Sequence, residues 1–441
     1  MPEIERAMAG GVIVQEPFLY EINTWAWLNG LSRKYARAIQ LGSVPAEEWN
    51  EIASWGFDAV WLMGVWERSP AAAAIAREHP DLQASYRSAL PDFTPADVVG
   101  SPYAVHRYVV DAHLGGPDGL KQARVELARR NLSLILDFVP NHVAVDHPWT
   151  VEHPEYFVHE ADGSIAHGRD PYFPPWTDTA QINAYHPALR SAYIATLQDI
   201  ALQCDGVRCD MAMLLLNDIF RETWGDKAGA TPGEEFWKEA IPAVPGLTWI
   251  AEVYWDLEWT MQQLGFNYCY DKRLYDRLAY ENAGGIRQHL AADIGHQGKL
   301  VRMIENHDEP RAAAIFPYAK EAAAATMIAT LPGAKLFHQG QFEGRKIKMP
   351  VQLGRWPDEP VDSGLLEFYR ALLQECRDPE IRHGEWRPLE TGNENLLSWT
   401  RGIRTIAINY SDAPAGGFAP WETRFTGPRY SSSAPAGHAA M

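Results

Sequence analysis

The chain has 441 residues, of which 46% are hydrophobic and 22% charged, and its formal net charge is −18. Such a composition is typical of a globular protein with a large core. The acidic balance argues against a nucleic-acid partner and against an anionic membrane surface, since both require a basic protein surface. A neutral substrate fits this charge better. The N-terminal segment lacks the regions of a signal peptide, and no apolar run has the length of a membrane span, so we expect a cytoplasmic protein.

The first third of the chain alternates between strand and helix patterns. Strands are predicted over Leu19–Asn23, Asp58–Met63 and Ser133–Val139, and helices over Ala46–Ser54 and Gly119–Arg130. The third strand is apolar without alternation, which is typical of a strand covered on both faces.

Residues 143–185 interrupt this alternation. The segment is rich in His, Pro, Asp and Trp and has no sustained period. Because it carries many aromatic residues, we interpret it as a short inserted loop domain rather than a linker.

The alternation resumes at residue 186 and continues to about residue 378. A helix is predicted over Pro187–Ala201, and further strands over Gly206–Cys209, Thr248–Glu252, Phe266–Tyr270, Val301–Glu305 and Lys335–His338. The whole chain then has eight strand candidates, each followed by a helix candidate. This predicts an α/β fold of the (β/α)8 TIM-barrel type, formed by residues 1–142 and 186–378. An open doubly wound sheet is the alternative. The barrel is favoured because polar residues follow at least four of the strands, where barrel enzymes place their sites.

Residues 379–441 have a different character. Leu396–Thr400 and Thr405–Asn409 are predicted as antiparallel strands of a small C-terminal β domain. From Ala419 onward the sequence has no strand period and much Pro, Gly, Ser and Ala, so we expect a disordered tail.

Three acids follow predicted barrel strands: Asp210, Glu252 and Asp308. Cleavage of a glycosidic bond usually requires two carboxyl groups, one as acid and one as nucleophile or base. Glu252 lies among apolar and aromatic residues, which favours a raised pKa and the acid role. Arg208 lies two residues before Asp210, on the same face of the strand, and is expected to keep that carboxylate ionised.

Each of these features alone has an ordinary structural explanation. An Arg-x-Asp pair on a strand is usually a structural ion pair, and a lone His142 is usually a structural histidine. Asp137 lies inside its strand and is interpreted as structural. It is the joint occurrence of four polar strand endings in one barrel pattern that favours a shared site.

The segments that carry these residues resemble the sequence regions of the α-amylase family of glycoside hydrolases. They are DFVPNH at 137–142, GVRCD at 206–210, the glutamate of IAEVYW at 250–255 and NHD at 306–308, together with SPYAVHRY at 101–108. The resemblance spans roughly residues 15–410. It implies a retaining enzyme that cleaves α-glucans or malto-oligosaccharides, with residues 143–185 as domain B and the C-terminal β segment as domain C.

The resemblance also implies a role for each matching residue. Asp210 corresponds to the nucleophile, Glu252 to the general acid and base, and Asp308 to the residue that stabilises the transition state. The residues expected to bind the sugar in the cleavage subsite are Arg208, His142 and His307, with Tyr103 stacked beneath it.

The chain departs from the family pattern after the nucleophile. Many members have a Lys-His pair there, whose histidine supplies a backbone calcium ligand, whereas this chain has Met211, Ala212, Met213 and Leu214. Asn141 matches the family's calcium-binding asparagine, but the other half of the site is absent. We therefore expect no family-type calcium and no other cofactor.

Three functions remain open. The first is hydrolysis of α-glucosides. The second is a transglycosylase or phosphorylase on the same machinery, with a sugar hydroxyl or phosphate as acceptor. The basic loop Gly344–Met349 would favour it, although a solvated loop is the simpler interpretation. The third, a non-catalytic binding protein, is disfavoured because all three acids are present.

Overall fold

The computed structural model describes residues 13–429, and within that range eight parallel strands close into a barrel. Neighbouring barrel strands are consecutive along the chain, and the first pairs with the eighth. Their bounds are Phe18–Asn23, Ala59–Met63, Ser133–Phe138, Gly206–Cys209, Thr248–Ala251, Tyr268–Tyr270, Leu300–Arg302 and Ala334–His338. The predicted TIM barrel is confirmed, and the open sheet is excluded.

The helices that flank the barrel pack against it through buried apolar residues. In Pro187–Ala201, proline occupies the first turn and Leu189, Tyr193, Leu197 and Ile200 are buried together. The other helices of the described chain are Thr24–Lys34, Ala46–Ser54, Pro70–Glu78, Pro80–Ala89, Gly116–Ala128, Trp149–Glu152, Asn217–Trp224, Phe236–Ala243, Glu258–Gln263, Lys272–Tyr280, Ala283–Leu290, Ile294–Gln297, Ala312–Ile315, Tyr318–Thr330, Ser363–Glu375 and Pro379–His383. Short 3-10 turns connect several of them, including Ala212–Leu215 directly after the fourth barrel strand.

Two excursions leave the carboxyl end of the barrel. After the second strand, Trp66–Arg68 pairs antiparallel with Val105–Val110, and the loop before the latter strand brings Tyr103 over the barrel. After the third strand, His142–Ala144 pairs antiparallel with Thr179–Gln181. The second excursion contains the predicted loop insertion, whose ends therefore lie side by side at the barrel rim. The first was not predicted.

A four-stranded antiparallel sheet follows the last barrel helices in the described part of the chain. Its strands are Trp386–Pro388, Leu396–Arg401, Arg404–Asn409 and Thr423–Thr426. The expectation of a disordered tail from Ala419 onward was wrong at Thr423–Thr426. This strand forms because it pairs along the edge of the sheet, with Phe425 opposite Ile406, and not because its own four residues have a strong pattern. Residues 430–441 lie outside the described range.

Candidate active site

The predicted site residues converge at the carboxyl end of the barrel. Asp210 and Glu252 directly follow the fourth and fifth strands, and Asp308 follows the seventh by six residues. They share the wall of one cavity of about 320 Å³ with His142 and Tyr103. Arg208 and His307 lie directly behind this wall, in contact with the acids. The structure therefore brings all seven predicted residues to one place.

Arg208 is the centre of this arrangement and is almost fully buried. One terminal nitrogen, Nη1, lies 2.8 Å from Asp210 Oδ1, and the other, Nη2, lies 2.6 Å from Glu252 Oε2. Asp137 lies further away, with its Oδ1 3.6 Å from Nη1. Since the guanidinium is planar, it fixes the two nearer carboxylates relative to each other.

Glu252 accepts three hydrogen bonds. Besides Arg208, the backbone N–H of Met211 donates at 2.8 Å and the hydroxyl of Tyr254 donates at 2.7 Å. The expectation of an apolar pocket around Glu252 was therefore wrong. Its apolar neighbours in sequence lie along the strand and its exit, but the carboxyl group itself meets donors.

The expectation that Arg208 keeps Asp210 ionised is also not met. Burial, with the carboxylates of Glu252 and Asp308 nearby, raises the pKa of Asp210 to about 8, although Arg208 opposes the shift. The physical reason is burial, which the Arg208 guanidinium does not offset because it also serves Glu252. Because these acids interact, their protons belong to the group rather than to one residue. The group therefore retains a proton near neutral pH.

His307 links Asp308 to a residue that the sequence did not single out, Glu21. Glu21 Oε1 lies 2.5 Å from His307 Nδ1, and Asp308 Oδ2 lies 2.9 Å from Nε2. Burial lowers the pKa of His307, but Asp308 and Glu21 outweigh it and raise that pKa to about 10. Although desolvation opposes it, the His307 cation in turn holds the pKa of Asp308 well below its usual range. An acid inside the apolar strand Phe18–Asn23 was the available signal for Glu21.

Tyr103 and His142 complete the cavity wall. The hydroxyl of Tyr103 lies 2.7 Å from His307 Nε2, and its ring stacks on the His307 ring with centroids 5.3 Å apart. Burial lowers the pKa of His142 to about 4, so this histidine is neutral and can both donate to and accept from a sugar hydroxyl. Further wall residues, which the sequence did not indicate individually, are Ser101, Trp176, Asp178, Thr179, Met211, Tyr254 and Gln352.

The residues around Asn141 do not fit a bound calcium ion. The Asn141 side-chain oxygen and its backbone carbonyl oxygen both accept hydrogen bonds from the side-chain amide of Gln181, at 3.1 and 2.9 Å. Among residues 13–429 no cluster of three or more His, Cys, Asp or Glu side chains is arranged to hold a metal ion. Calcium prefers several oxygen ligands that include carboxylates, and the amide offers a nitrogen instead.

The basic loop after the eighth strand contributes one cation near the cavity. The Lys348 ammonium donates to the backbone carbonyl of Asp308. Arg345 instead stacks on Trp356, with its guanidinium carbon 5.2 Å from the ring centroid, and Lys346 is exposed. Of the three basic side chains in this loop, only Lys348 therefore contacts a residue of the site.

These observations define a barrel protein whose strand ends gather three acids, an arginine and aromatic rings around one cavity. No family model matches the sequence. The α-amylase MalA of Haloarcula japonica is 25% identical over 313 residues, which are 65% of this chain and 44% of that protein. The α-1,4-glucan:maltose-1-phosphate maltosyltransferase 2 of Streptomyces coelicolor is 36% identical over 121 residues, 27% of this chain and 17% of that protein. The chain thus spans less than half the length of these curated relatives.

Solved structures share the fold. An α-amylase from Lactobacillus plantarum has a TM-score of 0.66 at 19% identity, covering 90% of this chain and 88% of that one. The cyclic α-maltosyl-(1→6)-maltose hydrolase from Arthrobacter globiformis has a TM-score of 0.67 at 15% identity, covering 93% and 99%. The sequence similarity to these curated relatives and the fold shared with the solved structures confirm the resemblance to the α-amylase family drawn from the sequence. Within residues 13–429 no helix is long and apolar enough to cross a membrane.

Proposed function

We propose that the protein cleaves α-glucosidic bonds in α-glucans or malto-oligosaccharides with retention of configuration. The observation that carries this proposal is the bridging of Asp210 and Glu252 by the single guanidinium of Arg208. Retaining glycosidases hold their two carboxyl groups roughly 5–5.5 Å apart, whereas inverting enzymes need roughly 6.5–9.5 Å for an intervening water. Two acids joined through one planar group favour the shorter separation.

Asp210 would attack the anomeric carbon while Glu252 donates a proton to the leaving oxygen. The bond from carbon to the leaving oxygen breaks as the glycosyl ester on Asp210 forms. Glu252, now a carboxylate, would then remove a proton from water as that water attacks the anomeric carbon. The bond from this carbon to the Asp210 oxygen breaks, which releases Asp210 as a carboxylate and leaves Glu252 protonated again. Asp308, kept anionic by His307, would favour the positive charge that develops on the sugar ring in both steps.

The cavity wall supports a neutral substrate. Among the described residues that line it, four are carboxylic acids, namely Asp178, Asp210, Glu252 and Asp308, and none is lysine or arginine. Sugar hydroxyls can donate to carboxylates, and sugar C–H faces pack on rings such as Tyr103. A phosphate dianion would meet like charges at this wall.

Transfer to a sugar hydroxyl or to phosphate is the second candidate function. Lys348, at the backbone of Asp308, is the observation that favours phosphate, and the relatives named as maltose-1-phosphate maltosyltransferases add to it. The activity named for these relatives belongs to proteins of which this chain matches only a part.

Maltoheptaose is the substrate that separates these functions. We expect new reducing ends at the same rate with and without inorganic phosphate. Longer chains in the product mixture would indicate transfer to sugar, and a maltosyl phosphate would indicate phosphorolysis. Asp210→Asn, which keeps the shape of the side chain, is the control and should be inactive. Full activity of Asp210→Asn, or inverted configuration of the first product by NMR, would contradict the proposal.

A further inference from the structure

Gln181 is a fully buried polar side chain at the junction between the barrel and the inserted segment. It ends the strand Thr179–Gln181, and its backbone lies opposite His142 in the antiparallel register. His142 lines the cavity, and so does Thr179, the first residue of the same strand. The side chain of Gln181 therefore lies behind one wall of the active site.

Three oxygen atoms surround the side-chain nitrogen of Gln181. Nε2 lies 2.9 Å from the carbonyl oxygen of Asn141, 3.1 Å from Asn141 Oδ1 and 3.0 Å from the carbonyl oxygen of Ile182. A carboxamide has only two N–H groups, so at least one of them is shared. Convergence of carbonyl and amide oxygens from separate segments is the arrangement that otherwise surrounds a cation.

The orientation of the amide follows from its neighbours. Gln181 Oε1 accepts from Asn141 Nδ2 at 3.3 Å and from the backbone N–H of Arg169 at 3.4 Å. Exchanging the oxygen and nitrogen would place Oε1 against three acceptors and Nε2 against donors. All groups that hydrogen-bond to the Gln181 side chain are neutral amides. This cluster of amide groups, called the cage below, therefore has no anionic ligand to balance the charge of a divalent ion.

We propose that the carboxamide of Gln181 takes the place of a structural cation in this chain and joins the third barrel strand to the inserted segment without metal. The amide group connects Asn141 at the strand exit with Arg169 and Ile182 in the insertion. By this contact it positions His142 and the adjoining cavity wall. The inference does not depend on which reaction the site performs.

The matched variant is Gln181→Glu, which replaces Nε2 with a carboxylate oxygen of nearly the same size. That oxygen would face three acceptors, and burial of an unpaired charge is strongly destabilising. A calcium ion in the cage would relieve it, since carboxylate and carbonyl oxygens are its preferred ligands. We expect a melting temperature lower than wild type by roughly 5 °C in EDTA, with most of the loss regained in millimolar calcium.

Wild type and Gln181→Leu are the controls, and the readouts are thermal melting and isothermal titration with CaCl₂. The wild-type melting temperature should be the same in EDTA and in calcium, with no heat of calcium binding. Gln181→Leu should be destabilised without any response to calcium, because it lacks the carboxylate. If Gln181→Glu does not fold, the wild-type measurements still show whether the native junction binds calcium.

Two results would overturn the proposal. One is a fall in the wild-type melting temperature on chelation that calcium restores, because the native junction would then hold a metal. The other is a Gln181→Glu variant as stable as wild type in EDTA, because the three oxygens would then not converge on the side-chain position. Activity on any substrate enters neither result.

Discussion

The contact between Glu21 and His307 predicts how far the pKa of His307 depends on Glu21. Glu21→Gln removes a buried carboxylate whose Oε1 lies 2.5 Å from His307 Nδ1 and leaves Asp308 as the other partner of the ring. A hydrogen bond to a charged group is worth roughly 1.5–3 kcal/mol, and one pKa unit corresponds to about 1.4 kcal/mol. The loss of the anion disfavours the imidazolium, so the pKa of His307 should fall from about 10 by roughly 1–2 units.

The assay is a pH titration of histidine-labelled protein followed by long-range ¹H–¹⁵N NMR, with the pH profile of kcat/KM measured alongside. In wild type His307 should remain charged up to about pH 10. In Glu21→Gln it should titrate lower, and the alkaline limb of activity should move down with it. The control is Glu321→Gln, which removes another buried carboxyl group, one that accepts a hydrogen bond from Tyr369. It should leave the pKa of His307 unchanged. An unaltered His307 midpoint in Glu21→Gln would show that Glu21 does not stabilise the imidazolium.

The same pair has a consequence for folding stability. A histidine whose folded pKa is raised above its unfolded value stabilises the fold fully below the unfolded pKa, roughly 6.5. That contribution is lost as pH rises toward the folded pKa of about 10. Glu21→Gln should therefore reduce the loss of stability between about pH 7 and pH 10, measured by urea unfolding at each pH.

Three further predictions concern single side chains. Tyr254→Phe removes the hydroxyl that donates to Glu252 and should lower kcat by roughly 10-fold, while circular dichroism stays unchanged. Arg208→Lys replaces the planar guanidinium with a single ammonium group that cannot bind both Glu252 and Asp210, so kcat/KM should fall by roughly 100-fold. A loss of less than about threefold would show that the guanidinium is not needed to hold the two acids. Burial raises the pKa of Glu321 to about 8, so the folded state holds an extra proton above about pH 4.5 and its stability falls as pH rises toward 8. Between pH 5 and pH 9 the free energy of unfolding of Glu321→Gln, measured in urea, should therefore rise by roughly 3–5 kcal/mol relative to that of wild type. A constant difference between the two proteins across this pH range would contradict this prediction.

The sequence predicts the barrel and its acids well because both signals are local. A strand covered on both faces is a short apolar run, and the polar residues that leave it, such as Asp210 and Glu252, follow directly in the chain. The eight predicted strands all exist, with ends that differ by a few residues. Short edge elements are harder to predict, since Trp66–Arg68 and Thr423–Thr426 form by pairing with other strands rather than by their own pattern.

The electrostatics of the site depend on contacts that sequence spacing does not contain. Arg208 and Asp210 are two residues apart, and their contact was predicted. The other half of the guanidinium binds Glu252 because parallel pairing sets Arg208 beside Ile250, and this changes the charge balance around Asp210. Glu21 and His307 are separated by 286 positions and meet only when the barrel closes. Such partners could not be assigned before the strands had a fixed register.

In the proposed reaction Asp210 forms a covalent bond to the sugar. Glu252→Gln should still react with α-maltosyl fluoride, whose departure needs little acid assistance, but should hydrolyse the ester slowly because the base is absent. Mass spectrometry of the quenched, digested protein should then find a maltosyl group on the peptide that contains Asp210. A maltosyl group on another residue, or rapid turnover with no adduct and an inverted product, would show that Asp210 is not the nucleophile of a retaining reaction.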